Sequence, residues 1–490
     1  MGVWVKRRSV VRFAVAVSVL LVASLISGPA PAARPDTGQD RGYGPQDPPL
    51  MAFAWTQLTP GGTQVRYATP EADCPSLVVT VGGQSSKRQM ALESRLDRYP
   101  TSATLCALRV ERAVTAARID TGGVGVPVHP DPFGVVPLPD WTRPNATKPR
   151  PENIAVIGDT GCRIPDAGPM QDCTPPGWPL LPVTDSAAVR PVPPDLVVHV
   201  GDYLYRTRPS RQPTPLCGAT GLGNNAHTWG CLVTDFFLPA ENLLGQAPFV
   251  FVRGNHENCG RSGEVWFRYL ATTPSTTACS GSHPEDFTPP ERIDAGTLGL
   301  IVMDTSCASD EGSTCDHGAR LATYTAQFNE INNNLVRGGD NFLLSHTPLW
   351  AVHGRTASNN PRWIDELLDD AVRASGAHQL DQRITVVLSG HVHLYQALDF
   401  GVTTAARRPP QLTVGASGTT LDRQDWVDGD MIGKDVDGEP LGQLITRREF
   451  GYAVLRDLSP RWNVRFFDQA GTVVAGTDCD LGPAQFVGCS

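Results

Sequence analysis

The apolar pattern of this chain changes character at Asn153. Between Met51 and Pro137, runs such as Leu77-Val78-Val79-Thr80-Val81 and Thr104-Leu105-Cys106-Ala107-Leu108-Arg109-Val110 are short and apolar, with turn formers between them. Such runs predict strands. They read either as a small β-sandwich or as a β-extension of the next domain. A proline-rich stretch from Pro127 to Pro151 reads as a linker. From Asn153 on, apolar runs alternate with helical stretches, the rhythm of an α/β fold. Strands are predicted at Ile154–Ile157, Leu196–Val200, Phe249–Val252, Leu298–Met303, Asn341–Leu344 and Ile384–Leu388. Helices are predicted at Thr323–Val336 and Pro361–Ser375, and further strands at Leu412–Val414, Gly451–Leu455 and Trp462–Phe467. The proline-containing excursion from Arg163 to Pro194 is long enough to suggest a functional loop. No internal repeat or coiled-coil pattern interrupts this order.

Polar residues matter most where the apolar runs end. Five short motifs follow predicted strands in order: Gly158-Asp159-Thr160-Gly161, Gly201-Asp202-Tyr203-Leu204-Tyr205, Gly254-Asn255-His256-Glu257, Ser345-His346 and Gly390-His391-Val392-His393. A strand that ends at the surface aims its next side chains into a cleft, and functional residues concentrate on such loops. Asp159 and Asp202 are hard oxygen donors, Asn255 offers an amide oxygen, and His346, His391 and His393 offer imidazole nitrogens. Mixed nitrogen and oxygen ligation suits Fe, Mn or Zn rather than Ca. Clustered carboxylates also repel unless cations lie between them. Each motif alone has a plainer reading: Gly-Asp is a common turn, and His346 alone could be a hydrogen-bonded core histidine. The ordered set at strand ends is what points to a metal centre.

Composition narrows the setting. The 490 residues, 40% of them hydrophobic, suffice for two or three domains around a large core. Lys6, Arg7, Arg8 and Arg12 precede an apolar stretch, Phe13 to Ile26, that is short for a spanning helix. Ala30-Pro31-Ala32 then offers small residues for cleavage. This reads as a signal peptide at 1–32, through the general or the twin-arginine route, with an uncleaved anchor as the rival reading. Without those four basic residues and with no acid lost, the net charge goes from −9 to −13. An acidic chain with no basic, aromatic-laced run is a poor nucleic-acid binder, and no later segment is apolar enough to span a membrane. Twelve cysteines in an exported chain favour disulfides. Spacing suggests Cys162 with Cys173, Cys217 with Cys231, Cys259 with Cys279, Cys307 with Cys315 and Cys479 with Cys489, leaving Cys74 and Cys106. A cysteine-rich metal site is the rival reading, but no CxxC pair exists.

The series GD, GDxxY, GNHE, xxxH and GHxH resembles the calcineurin-like metallophosphoesterases. Tyr205 and the Asp159-Thr160-Gly161 form resemble the purple acid phosphatase branch, and the wording around the motifs resembles an exported bacterial subfamily. The resemblance covers residues 153 to 420. It implies an α/β fold, a four-layer α/β/β/α sandwich behind a β-rich N-terminal domain. The organisation it suggests is a flexible leader at 33–50, the β-rich domain at 51–137, a linker at 138–152, the catalytic domain at 153–477 and a tail at 478–490.

The resemblance also implies roles. Asp202 would bridge two metals. Asp159, Tyr205 and His393 would hold the first, expected to be Fe(III) because of the phenolate. Asn255, His346 and His391 would hold the second, a divalent Fe, Zn or Mn. Tyr205 has a plainer reading as a packed tyrosine, which would leave a two-metal esterase without the ferric ion. His256 would face the phosphoryl group as hydrogen-bond or proton donor, and His353 is either a second such group or a surface histidine. Arg206 and Arg253 either bind phosphate oxygens or pair with local carboxylates. Leu204 stands where relatives carry a polar residue, which leaves specificity open if that position touches substrate. The implied activity is hydrolysis of phosphate monoesters outside the cytoplasm by attack of a metal-bound hydroxide. A phosphodiesterase or nucleotidase on the same site, and a non-catalytic phosphate-binding surface protein, are the alternatives. A phosphate ester is the expected partner; oligomeric state is open.

Overall fold

In the computed structural model the strand Asn153–Ile157 is buried along its whole length, and its side chains divide between two cores. Ile154 and Val156 face one, Ala155 and Ile157 the other. The same period-2 division runs through its neighbours: Val198 and Val250 point inward, Val197, Phe249 and Phe251 outward. A strand covered on both faces must be apolar on both, which is why these segments read as continuous apolar runs. The residues described are Met1 and 49–490, except 124–125, 142, 144–145, 175–176, 190–192, 219–226, 281–284, 310–314, 316–317, 356–360, 364–365, 402–407, 437 and 483–484. The expected signal peptide and nearly all of the leader therefore lie outside the described residues.

Two sheets form the body. In the first, Asn153–Ile157, Leu196–His199 and Phe249–Phe251 run parallel. Gly451–Asp457 and Trp462–Asp468 extend it antiparallel on one side, followed by Cys479–Gly482 and Gln485–Val487. The second sheet has seven strands, with Leu298–Val302, Asn341–Leu344, Ile384–Ser389 and Gln411–Val414 parallel at its centre. The sheets face each other across a shared core in which Val156, Val198 and Val250 meet Leu300, Phe342, Leu344, Leu388 and Val414. Each such buried side chain contributes about 1.5–3 kcal/mol. Helices cover the outer faces. Leu180–Val189 packs Val183 and Ala187 on the first sheet. On the second, Arg320–Glu330 packs Tyr324 and Phe328, and Glu366–Ala374 packs Leu368, Ala371 and Val372. Spacings of three and four put these residues on one helix face. The result is the expected four-layer α/β/β/α sandwich.

The N-terminal region continues the first sheet. Ala52–Thr59 pairs parallel with Phe249–Phe251, and Gly62–Thr69, Thr104–Arg109 and Ala91–Ser94 follow outward. Phe53 and Trp55 enter the outer core of the first sheet. Ala52 and Ala54 instead face a separate core with Leu77, Val79, Ala117 and Ile119, contributed by a four-stranded sheet. Both the β-sandwich and the β-extension are thus realised in one element order. The described residues from 49 onward belong to one compact unit.

The predicted strands of the catalytic half are all present, shifted by three residues or fewer at either end. The predicted helix Thr323–Val336 begins earlier, at Arg320, and ends in one wide turn at Ile331–Leu335. The predicted helix Pro361–Ser375 needs correction. Pro361–Trp363 is a strand paired with Val352–Arg355, and only Glu366–Ala374 is helical. The six disulfides join the pairs that the spacing suggests, with Cys74 bonded to Cys106. Among the described residues no helix is long and apolar enough to cross a membrane.

Candidate metal centre

All five motifs lie just beyond the C-terminal ends of parallel strands, three from the first sheet and two from the second. Open α/β sheets present their sites at that edge. The turns are tight. Asp159, Asp202 and His391 have φ of 54°, 60° and 69°, a left-handed backbone that non-glycine residues adopt at a cost of roughly 1–3 kcal/mol. Glycines make the close approach possible. A Cβ on Gly201, itself at φ 103°, would lie 2.6 Å from His346 Nδ1, and one on Gly254 would lie 2.1 Å from Asp202 Oδ1.

The seven candidate ligands gather into two groups. In the first, Tyr205 Oη lies 2.7 Å from Asp159 Oδ1, 2.7 Å from Asp202 Oδ2 and 3.0 Å from His393 Nε2. In the second, His346 Nε2 lies 3.0 Å from Asn255 Oδ1 and 3.2 Å from Asp202 Oδ2, and His391 Nδ1 lies 3.1 Å from Asn255 Oδ1. Asp202 Oδ2 belongs to both. The ligand atoms of Asp202, His346 and His391 all fall within 4.8 Å of one another.

The donor chemistry of this cluster fits cations. His346 Nδ1 lies 2.8 Å from the carbonyl of Val200, and His393 Nδ1 lies 3.1 Å from that of Thr420. A carbonyl only accepts, so each Nδ1 carries a proton. Burial lowers both rings, but Asp202 beside His346 and Asp159 beside His393 outweigh it and push them up to about 9. Without a cation each Nε2 therefore also carries a proton toward the oxygens of the cluster, and a cation would displace it and take the lone pair. Asn255 poses the same choice. Hydrogen bonding alone favours its amide nitrogen inward, toward His346, His391 and Asp202, with Oδ1 3.2 Å from Arg261 Nη1. A cation favours Oδ1 inward. The remaining carboxylate oxygens are held by backbone: Asp202 Oδ1 accepts from His256 N–H, and Asp159 Oδ2 from His391 N–H, both at 2.9 Å. Burial, then the two carboxylates, push Tyr205 well above the usual phenol range.

The other candidates stand around this cluster. The His256 ring lies over Tyr205 with centroids 4.0 Å apart, and its Nδ1 bonds the Leu204 carbonyl at 3.0 Å. Burial pushes His256 down to about 4. His353 is about half exposed, its Nε2 3.7 Å from Asp422 Oδ2. Leu204 packs in the outer core. Arg206 and Arg253 do not face the cleft. Arg206 pairs with Asp235 in full burial, and Arg253 pairs with Asp304 and Asp286. Their place is structural.

Three supporting residues escaped the sequence reading. Asp422 accepts the His393 N–H at 2.9 Å. Thr305 Oγ1 accepts the N–H of His346 at 3.0 Å and of Thr347 at 2.9 Å. His199 lies beneath the first two turns. Only His199 carried a signal, a histidine inside an otherwise apolar strand. Glu257, the last residue of the third motif, accepts N–H groups from Asp202, Tyr203 and Gly254.

Residues 152–395 match the family described as calcineurin-like phosphoesterase. No curated protein matches the sequence. Among solved structures, the chain is similar to purple acid phosphatase PPD1 of yellow lupin (Lupinus luteus) seeds at 11% identity. That match covers 87% of this chain and 73% of that one, with a TM-score of 0.47. It is also similar to PhoD at 13% identity, covering 91% and 94%, with a TM-score of 0.49.

Proposed function

Because residues 152–395 belong to the calcineurin-like phosphoesterases, we propose that this chain is an exported hydrolase of phosphate monoesters that works with two metal ions. The observation that carries the reading is Asp202 Oδ2, shared by two groups of inward-facing polar atoms. In this reading Asp159, Tyr205 and His393 would hold one ion, Asn255, His346 and His391 would hold the other, and Asp202 would be shared by both. Tyr205 as a phenolate favours Fe(III) in the first place, with divalent Fe, Zn or Mn in the second. Paired cations of this kind neutralise phosphoryl oxygens and lower the pKa of a water to about 7.

The residues of the chain supply position and protons. Hydrolysis forms a bond from a water oxygen to phosphorus, breaks the ester P–O bond and delivers one proton to the leaving oxygen. His256 Nδ1 donates to the Leu204 carbonyl, so Nε2 is the atom left for the phosphoryl group. With burial pushing the ring down to about 4, it acts as a donor only by taking up a proton with the substrate. The main-chain N–H of His256 donates to Asp202, which ties this ring to the carboxylate that would bridge the ions. His353 approaches from the rim, and Asp422 links it to His393. With Arg206 and Arg253 paired in the interior, charge recognition of phosphate falls to the metal cluster, these histidines and Arg261, which lies close enough to His256 to lower its pKa. Export is supported by the basic and apolar N-terminal sequence and by six disulfides, which persist in oxidising compartments.

Metal content and turnover measured on one purified sample test the reading. We expect about two metals per chain and hydrolysis of p-nitrophenyl phosphate in preference to bis-p-nitrophenyl phosphate. A folded, metal-free and inactive protein would sink the enzyme reading. Preferential turnover of the diester would replace the monoester assignment.

A further inference from the structure

His199 is a polar residue in an apolar place. It closes the strand Leu196–His199 and is fully buried. Strand alternation turns it to the outer face, against Tyr203 and Phe236. A buried imidazole nitrogen without a partner costs about 1–3 kcal/mol, and here both are used. Nδ1 accepts the N–H of Gly201 at 3.2 Å, which leaves the ring proton on Nε2, and Nε2 donates to Thr160 Oγ1 at 2.9 Å. Gly201 immediately precedes Asp202, and Thr160 immediately follows Asp159. The ring also stacks on Tyr203, with centroids 4.0 Å apart and planes at 21°. Tyr203 Oη in turn donates to the carbonyl of Val252, at 3.1 Å, just before the Asn255 turn. Burial holds His199 well below its ordinary range, so the neutral ring persists.

We propose that His199 is a positioning residue: it sets the spacing of the Asp159 and Asp202 turns, and through Tyr203 that of the Asn255 turn, so that the ligands converge before a cation arrives. The inference rests on the two-metal reading above. Asp159 and Asp202 both occupy left-handed backbone, which persists only where the surroundings over-determine it. Two main-chain bonds already join the turns, Asp159 N–H to Gly201 carbonyl and Thr160 N–H to Asp202 carbonyl, each at 3.0 Å. His199 adds the side-chain contacts that hold this pair from below. A packing role alone would need a ring, but neither nitrogen.

His199→Phe keeps the ring and the stack and removes both hydrogen bonds. His199→Gln restores a donor near the Nε2 position. Each variant is titrated with Zn²⁺ alone and with Mn²⁺ alone, metal retention is measured after desalting, and circular dichroism reports folding. We expect His199→Phe to fold and to lose metal affinity on the order of 10–100-fold, as loss of an outer hydrogen-bond partner does elsewhere, with His199→Gln recovering part of it. Wild-type affinity in His199→Phe, or equal losses in both variants, would overturn the proposal. If His199→Phe does not fold, Thr160→Val removes the Nε2 bond from the other side, with Thr160→Ser as control. Wild-type affinity in Thr160→Val then overturns it. Asp202→Asn run in parallel separates the failures. Retention of metal by that variant as well would count against the two-metal reading, whereas loss in Asp202→Asn alone would count only against His199.

Discussion

Tyr205 Oη stands 2.7 Å from Asp202 Oδ2, three residues back along the same turn. The same hydroxyl stands 2.7 Å from Asp159 Oδ1 on the neighbouring strand end. One phenol has one proton and cannot donate to both carboxylates. The second oxygen pair is closed either by a proton on Asp159, whose pKa burial raises, or by the first metal of the proposed centre.

Replacing Tyr205 tests the ferric assignment. If a ferric ion binds the phenolate, the loaded protein has a visible charge-transfer band and Tyr205→Phe abolishes it. The band is read by absorption spectroscopy on samples of known iron content. A colourless, fully metallated and active wild type would refute the ferric ion and leave the two-metal esterase standing, because the second group and Asp202 do not depend on Tyr205.

Glu257 organises the turn beneath Asp202. Its two oxygens accept N–H groups from Asp202 at 3.0 Å, Tyr203 at 2.9 Å and Gly254 at 3.1 Å. Glu257→Gln keeps the volume but replaces one acceptor with a donor that faces N–H. The expected loss is about 1–3 kcal/mol of folding stability, the cost of a buried polar group left unmade. Urea denaturation measures it, and an unchanged midpoint would show that the carboxylate is dispensable.

Much of this candidate site is legible in sequence because polar residues at strand ends keep fixed offsets from apolar runs that are themselves recognisable. Tertiary partners are not so encoded. The strand Tyr395–Asp399 is buried throughout, yet it contains Gln396 and shows no clean pattern. Gln396 is tolerated because its amide bonds both main-chain groups of Val352, at 3.1 and 2.7 Å, a residue distant in sequence. Asp422 sits in a loop with no periodicity and is found only through its bond to His393. Pro361–Trp363 reads locally as the start of a helix, and becomes a strand because Val352–Arg355 offers an edge to pair with.

Asp304 and Arg253 predict a pH dependence of stability. Arg253 Nη1 donates to Asp304 Oδ2 at 2.9 Å in the interior. Burial raises the Asp304 pKa, but Arg253 and the hydrogen bonds from Ser306 and Thr288 outweigh it and hold the carboxyl below its usual value. A depressed folded pKa gives stability that is present above the unfolded value, about 3.9, and is lost as pH falls through the folded value. Asp304→Asn should cost about 1–3 kcal/mol near neutral pH, because Arg253 loses its nearer carboxylate but keeps Asp286 as a charge partner. The gap between wild type and variant should narrow at pH below about 4. Denaturation curves across that range decide it, and a gap that stays constant with pH would count against the ion pair as the cause.

His256 can be separated from the ligands by its backbone. The bond to Asp202 comes from the main-chain N–H of His256, at 2.9 Å, and survives His256→Ala. Only the ring over Tyr205 and its bond to the Leu204 carbonyl are removed. Metal content should therefore stay at the wild-type level while kcat falls on the order of 100-fold, the lower range for a positioned proton-transfer group. If the ring delivers the proton, the loss should be larger for an alkyl phosphate, whose leaving oxygen needs that proton, than for p-nitrophenyl phosphate, whose leaving group does not. Equal losses on both substrates would make His256 a group that orients the phosphoryl oxygens. Loss of metal from His256→Ala would instead place the residue among the ligands.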